Sequence, residues 1–402
     1  MNSGWKLRTL LTSFFVSASG DWAFLFASIW VFTKHSGSQQ EAGSILMLLG
    51  VFQGFASLIL SGCAPYALNR TAKTHLLIRL TFILALISMS IASVQALGWP
   101  IGFLFTLATL KSGVSAMYLT VDGAFISDLF PEPVRRDGLN RLRHCLVHVA
   151  RVVVFSFAGF LLVWLGPSPL FFWDGLSFCI MALVIWLFGN HTLPSDERKS
   201  FFELWRAGLS YVSHHPAYGR LLLIAALITF LGTMNFTLTP VLTSKERGWN
   251  EVSLAWIYGA GGIGGMIGTT TWWSRRMLRR GVMLPLAAFC LTSLILPFAP
   301  NRWLAGLAYF FIVLVNTPLF VQFNSVFQAA DKRDAVLALN TMLGFFLVPI
   351  LRMVFVEVCQ DQLGLVTSQT MSLGCVCVLG VGILVIYVPH RKELKEVFCR
   401  HL

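Results

Sequence analysis

The chain has 402 residues, of which 56% are hydrophobic and only 12% are charged. A soluble domain carries about 25% charged residues, so the polar side chains here are too few to cover a water-exposed surface. The composition therefore excludes a soluble protein and predicts an integral membrane protein, with the lipid bilayer around most of its exterior.

Long apolar runs without short alternating strands predict membrane-spanning helices, because a helix satisfies its own backbone hydrogen bonds in lipid. Each span needs about 20 apolar residues. Twelve such runs are predicted, at about residues 9–32, 42–64, 75–95, 99–127, 143–164, 168–189, 218–241, 251–273, 281–299, 303–327, 336–357 and 366–388.

Basic residues are sorted between the loops. The N-terminus, the even-numbered loops and the C-terminal tail hold 22 Lys and Arg residues, whereas the odd-numbered loops hold four. Because basic loops stay on the cytoplasmic side, both termini are predicted to be cytoplasmic. The net charge of +12 then reflects membrane topology, and no nucleic-acid partner is expected.

A long polar stretch divides the spans into two groups of six. We predict six-helix bundles at residues 1–190 and 218–402, joined by a cytoplasmic linker at 191–217 that contains an amphipathic helix. Leu139-Asn140 follows span four and Leu339-Asn340 follows span ten, 200 residues later. This spacing predicts an internal duplication.

These features resemble the major facilitator superfamily. Ser17-Ala18-Ser19-Gly20-Asp21-Trp22 in span one is similar to the Ser-x-x-Gly-Asp opening of its enterobactin-exporter and macrolide-efflux branch. Residues 124–132, after span four, are similar to the loop of that branch. The resemblance implies an all-α fold of two pseudo-symmetric six-helix bundles and secondary transport of a small molecule, such as a siderophore or drug, in exchange for protons.

The resemblance further implies a bacterial inner-membrane protein without a cofactor, and we expect a monomer. The substrate site is expected at the membrane midplane between the halves, which would alternate in access by rocking. The loop after span two departs from the family pattern. It carries Asn69-Arg70 where the family usually has Asp-Arg, which removes an acid associated with the inward-closed gate.

Ionisable side chains at mid-membrane cost a few kcal/mol or more, so each is a functional hypothesis. Asp21 lies near the middle of span one and is the predicted proton-coupling residue. The alternatives are an acid neutralised by a basic partner, or one that caps a helix break at Gly20.

Span four presents Lys111, Ser115, Tyr118 and Asp122 on one helix face, which is predicted to line a cavity. Lys111 is the predicted contact for an anionic group. Asp122 is predicted to act as a gate residue or in a structural ion pair.

Span five places His144, His148 and Arg151 on one face. Arg151 is predicted to contact substrate, or otherwise to pair with Asp21 or Asp122. The two histidines have a metal-ligand spacing, but that face offers no acidic or cysteine partner, so no metal site is predicted. Their function stays open.

Span eleven carries Arg352 past its midpoint and Glu357 near its outer end. Arg352 is predicted to contact an anion, and Glu357 to act in a gate or to reach water. Deep basic residues outnumber Asp21, the one deep acid in this count, which favours an amphiphilic organic anion as substrate. Apolar contacts to it are expected from three aromatic residues: Trp22, Phe24 and Tyr118.

Residues 259–264 match the GxGxxG pattern but lie in an apolar run with no strand before it, which predicts close helix packing and not nucleotide binding. Nothing in the sequence sets the direction of transport. An importer or facilitator with the same fold therefore stays open, and a non-transporting sensor or a membrane enzyme is less favoured.

Overall fold

The apolar runs of the sequence fold into helices. The computed structural model describes residues 3–68, 71–129, 133–188, 201–270, 273, 277–278, 281–328, 330, 336, 339–340, 343–382, 388–390 and 394. Within these residues the secondary structure is helical and no strand occurs. The all-α prediction is therefore confirmed.

The first six predicted spans each form one long helix. In chain order these helices are α1 (Ser3–His35), α2 (Gln39–Leu68), α3 (Lys73–Ala96), α4 (Ile101–Leu129), α5 (Pro133–Leu165) and α6 (Ser168–Phe188). Each is apolar over at least 20 residues and is long enough to cross a bilayer.

The second half begins with the short helix α7 (Phe201–His214), where the sequence predicts an amphipathic linker helix. The helices that follow are α8 (Pro216–Val241), α9 (Glu251–Gly268), α10 (Met283–Ile295), α11 (Arg302–Gln328), α12 (Val348–Glu357) and α13 (Thr367–Gly380). Short turns of π-helix extend this series at Leu242–Glu246, Leu343–Leu347 and Val358–Gln362, and turns of 3₁₀-helix at Leu296–Phe298 and Val388–His390. Each of the six predicted spans in this half coincides with helix over its described residues.

The chain divides into two compact units by its internal contacts. Unit 1 comprises Met1–Phe32 and Leu49–Phe201, and unit 2 comprises Thr33–Leu48 and Phe202–Leu402. In unit 1, α3 packs on α4 and α6; in unit 2, α10 packs on α11 and α13. The third membrane helix of each half thus packs on the fourth and the sixth, as an internally duplicated fold requires.

The glycine-rich run of α9 packs against α11. A Cβ atom at Gly264 would lie 2.2 Å from the carbonyl oxygen of Phe310, so only glycine allows the two backbones to approach this closely. This contact confirms that the GxGxxG pattern serves helix packing.

Large apolar side chains cover the outside of the helices. Trp164 is 81% exposed, Trp186 64% and Phe157 63%, and many leucines and phenylalanines of other helices are similarly exposed. Soluble monomers rarely expose apolar patches on this scale, so these side chains face lipid. The chain is a multi-pass integral membrane protein.

Candidate functional site

The interior of unit 1 holds a lysine between two carboxylates. Lys111 on α4 has a buried side chain, and its Nζ lies 2.8 Å from Asp174 Oδ2 on α6 and 3.3 Å from Asp21 Oδ1 on α1. Lys111 follows the first residue of α4 by ten positions, about 15 Å along the helix. Three helices therefore meet at one ion cluster, the triad Asp21–Lys111–Asp174.

The charge count made from the sequence is wrong in one respect, because Asp21 is not the one deep acid. Asp174 is fully buried, and its Oδ2 also accepts a hydrogen bond of 2.5 Å from Ser88 Oγ on α3. Asp174 is the seventh residue of α6, inside an apolar span, so the rule that singles out Asp21 applies to it equally.

The residues beside the two acids hold α1 against α6. A Cβ atom at Gly20 would lie 2.2 Å from Ser177 Oγ and 3.0 Å from the Cα atom of Asp174. One residue earlier, Ser19 Oγ accepts a 3.0 Å hydrogen bond from the indole of Trp173. The predicted alternative of a helix break at Gly20 is wrong, because α1 continues through it and the glycine serves close approach.

Exposure separates the two acids of the triad. The side chain of Asp21 is 54% exposed, whereas the side chain of Asp174 is 0% exposed. Asp21 therefore presents part of its carboxylate away from the packed interior, and Asp174 is enclosed by protein.

Two of the predicted aromatic contacts pack around Lys111 and α6. The Lys111 ammonium lies 3.7 Å from the ring centre of Phe24, a cation–π contact, and Phe24 in turn meets Phe171 edge to face. Tyr118 is buried and meets Phe178 of α6 edge to face. At Lys111 and Tyr118 the face of α4 that is predicted to line a cavity is instead packed against α6.

Trp22 and Arg151 form a second contact between α1 and α5. The Trp22 indole donates a 3.0 Å hydrogen bond to the carbonyl of Val147, and the Arg151 guanidinium lies 4.7 Å from the Trp22 ring centre. Arg151 itself is buried. Its predicted role in substrate contact stays a prediction.

Asp122 forms an ion pair with Arg143 of α5, and the Arg143 guanidinium also lies 4.2 Å from the ring centre of Phe14. The structure thus places Asp122 in an ion pair, one of the two roles predicted for it. The sequence analysis offers Arg151 as a possible ion-pair partner of Asp122. The partner is Arg143, two helical turns earlier on α5.

Unit 2 holds one deeply buried guanidinium of a different kind. Arg352 is 5% exposed, its Nη1 donates a 3.0 Å hydrogen bond to Thr237 Oγ1 of α8, and its Nε has no hydrogen-bond partner among the described residues. No carboxylate of the described residues forms an ion pair with it. Glu357, at the end of α12, is exposed.

Two further predictions concern the histidines and the loop after span two. His144 and His148 are part-buried on α5, and the described residues contain no group of three or more His, Cys, Asp or Glu side chains placed to hold a metal ion. Asn69 and Arg70, the predicted gate residues, lie outside the described residues.

The fold and these buried charges define a class: a multi-pass helical membrane protein with a duplicated fold and ionisable groups inside its helices, as membrane transporters have. The sequence profile of the Major Facilitator Superfamily matches residues 10–351, so the chain belongs to that superfamily. It is a transporter of this fold, and transporters of this superfamily bind small-molecule substrates and lie in a lipid bilayer.

Two solved structures share the fold over nearly the whole chain. Both are of a bacterial homolog to the human lysosomal transporter Spinster in an inward-facing conformation. The unoccupied form has a TM-score of 0.62 at 14% identity, covering 99% of this chain and 98% of that chain. The occupied form has a TM-score of 0.64 at 12% identity, covering 99% and 97%. No curated protein matches the sequence.

Proposed function

We propose that the chain is a proton-coupled exporter of an amphiphilic organic anion, such as a siderophore or an anionic drug, and that it works by alternating access. The observation that carries the proposal is the triad, in which one ammonium faces two carboxylates. With all three groups ionised the triad has a net charge of −1 inside an apolar bundle, which is costly. A proton on one carboxylate removes that charge.

Asp21 is the group we assign to proton exchange. Its side chain is 54% exposed, and among the described residues its one ion-pair partner is Lys111, at 3.3 Å. Its exposure makes it the member of the triad that we assign to proton uptake. Loss of that proton returns the triad to its charged form, so that the proton occupancy of Asp21 changes the electrostatics of unit 1.

The anion contact is assigned to Arg352. A buried guanidinium ordinarily has a carboxylate partner, since an unpaired buried charge is unfavourable. Arg352 meets a threonine hydroxyl instead, and its Nε stays available for a substrate oxygen. Because Lys111 is already neutralised within the triad, support for an anionic substrate now rests on Arg352 and Arg151. Trp22 lies beside Arg151 and would supply apolar contact.

The cellular setting belongs to the same proposal. The distribution of basic residues supports cytoplasmic termini, and the resemblance to the exporter branch supports a bacterial inner membrane. The two similar structures are inward-facing, one unoccupied and one occupied, which supports alternating access. We propose a monomer as the transporting unit.

The rival function is an importer or facilitator of a small anion, which the same buried charges would also serve. The direction of movement separates them. A proton-coupled exporter accumulates its substrate in inside-out vesicles whose lumen is acidified, whereas a facilitator only equilibrates the substrate.

The experiment is transport into inside-out proteoliposomes with three probes: citrate, dihydroxybenzoate and a macrolide. We expect gradient-driven accumulation of an anionic probe by the wild type, and none by Asp21→Asn, which should still exchange labelled for unlabelled probe. Glu41→Gln, an exposed acid outside the triad, is the matched control. Undiminished proton dependence in Asp21→Asn would show that the coupling assignment is wrong.

A further inference from the structure

The two carboxylates of the triad differ in how well their charge is stabilised. Asp174 Oδ2 forms an ion pair with Lys111 Nζ at 2.8 Å and accepts a hydrogen bond from Ser88 Oγ at 2.5 Å. Charge-assisted bonds of this kind favour the ionised carboxylate. Asp21 has one contact, at 3.3 Å, and a half-exposed side chain. The negative charge is therefore held more firmly on Asp174 than on Asp21.

Asp174 also offers no suitable position for a proton. Its Oδ2 already faces the Lys111 ammonium and the Ser88 hydroxyl, and its Oδ1 is buried without a hydrogen-bond partner among the described residues. A proton on Oδ1 would create a buried O–H donor that has no acceptor, which is unfavourable. A proton on Oδ2 would lie beside the Lys111 ammonium and would require the Ser88 hydroxyl to turn from donor to acceptor. Protonation of the triad therefore falls to Asp21.

The position of Asp174 is fixed by its neighbours. Trp173 is bonded to Ser19, Ser177 packs on Gly20, and the Ser177 hydroxyl donates to the Asp174 carbonyl at 2.8 Å. These contacts bracket the acid on both sides and hold α6 against α1. Asp174 thus stands at one place beside Lys111 whether or not Asp21 carries a proton.

We infer that Asp174 is a positioning residue of the proton-coupling site: as the permanent counterion of Lys111, it leaves Asp21 free to bind and release one proton. The inference rests on the proposed function. Uptake of one proton by the Asp21 carboxylate takes the triad from −1 to 0, and release returns it to −1. Lys111 stays an ammonium and Asp174 stays a carboxylate throughout.

Removal of the Asp174 charge has a distinctive consequence. In Asp174→Asn, Lys111 and Asp21 alone form a neutral pair, so proton uptake by Asp21 would leave an uncompensated buried ammonium. Asp21 should then no longer take up its proton. In the double variant Lys111→Met/Asp174→Asn both fixed charges are gone, and Asp21 should take up a proton again. A purely structural role for Asp174 does not predict this rescue.

The test is infrared difference spectroscopy of the full chain reconstituted in lipid, stepped between about pH 8 and about pH 5. The carboxylic-acid C=O band is compared between the wild type and Asp21→Asn, so that surface carboxylates cancel. We expect this Asp21-dependent band to fall at least about tenfold in Asp174→Asn and to return in the double variant. The control Ser93→Ala, at an exposed serine of α3, should keep the band.

Each result has one meaning. A full band in Asp174→Asn, or no band in a folded double variant, overturns the inference while the proton-coupling proposal stands. Equal wild-type and Asp21→Asn spectra overturn the coupling proposal, and the inference with it. If Asp174→Asn does not fold, as size-exclusion chromatography would show, the double variant alone carries the test, because it leaves no unpaired buried charge.

Discussion

The two units differ in the partners of their buried basic side chains. In unit 1 the buried lysine has two carboxylate partners, and Arg143 has Asp122. In unit 2 the buried Arg352 meets only the hydroxyl of Thr237 within the described residues. Since both units repeat the same helix packing, the fold does not dictate this difference. The proposed function makes use of this difference: it assigns the proton to the triad of unit 1 and an anion contact to Arg352 of unit 2.

The backbones differ in the same sense. Helices α3 to α6 run without interruption for 21 to 33 residues. The described part of unit 2 contains three complete π-helical turns and two further π-helical residues at 381–382, and the turn Leu343–Leu347 lies directly before the helix that carries Arg352. Turns of this kind often occur at functional sites, because they change the register of a helix face. Helices α4 and α6, which carry Lys111 and Asp174, contain no such turn.

The largest effect is expected for Lys111→Met, which removes the one basic member of the triad. This change leaves two carboxylates facing each other, one of them fully buried. Removal of one partner from a buried ion cluster typically costs about 3–5 kcal/mol. We expect a loss of this order in the free energy of unfolding, measured by denaturation in detergent. Lys34→Met, at an exposed position of α1, should change it by less than about 0.5 kcal/mol. Equal stability of the two variants would contradict a charged triad.

The role of the buried Arg352 guanidinium in unit 2 is tested by Arg352→Gln. Loss of a hydrogen bond to a charged group costs about 1.5–3 kcal/mol, which corresponds to a rise in KM of about 10- to 100-fold for an anionic probe. Thr237→Val, which removes only the hydroxyl, should raise KM by a smaller factor. An unchanged KM in Arg352→Gln proteoliposomes would remove Arg352 from the anion site.

The close approach behind the triad is tested by Gly20→Ala. The added methyl group meets Ser177 and the backbone of Asp174, and overpacking of this kind costs about 1–3 kcal/mol. We expect a lower thermal midpoint in detergent. Gly102→Ala in α4, where a Cβ atom meets nothing within 4 Å, is the control and should not lower it. A Gly20→Ala protein as stable as the control would show that α1 and α6 are not held in contact there.

The smallest effect is expected at the second ion pair of unit 1. A double-mutant cycle of Asp122→Asn and Arg143→Gln should give a coupling energy of about 1 kcal/mol in the free energy of unfolding, because the two side chains are in direct contact as an ion pair. A coupling energy near zero would mean that the pair contributes to neither gate nor stability, and would confine the charge pairing of unit 1 to the triad.

Most of the fold follows from the sequence because the bilayer sets it. A span needs about 20 apolar residues, and the twelve apolar runs of the sequence coincide with helix over their described residues. Among the described residues, eight helices are long and apolar enough to cross a membrane. Asp21 and Lys111 are found because charges are rare inside such spans. Asp174 carries the same signal within α6, yet it is absent from the sequence-based set of candidate residues.

Charge partners are harder to predict, because hydropathy does not tell which helices touch. Depth in the membrane alone makes Arg151 a reasonable partner for Asp21 or Asp122. In the packed helices, however, Asp21 pairs with Lys111 and Asp122 pairs with Arg143. The same limit applies to Phe24. Its spacing from Asp21 was visible in the sequence, whereas its place beneath the Lys111 ammonium depends on how α1 meets α4.

The assignment of the proton to unit 1 and the anion contact to unit 2 is tested most directly by one crossed transport measurement. Wild type, Asp21→Asn and Arg352→Gln are reconstituted in inside-out proteoliposomes, and accumulation of an anionic probe is measured with and without a gradient of about two pH units. One-for-one exchange with protons sustains up to about 100-fold accumulation at that gradient. Asp21→Asn should lose the gradient-driven part and keep exchange, whereas Arg352→Gln should lower both in proportion. Gradient-driven accumulation by Asp21→Asn, or exchange unaffected in Arg352→Gln, would contradict the account.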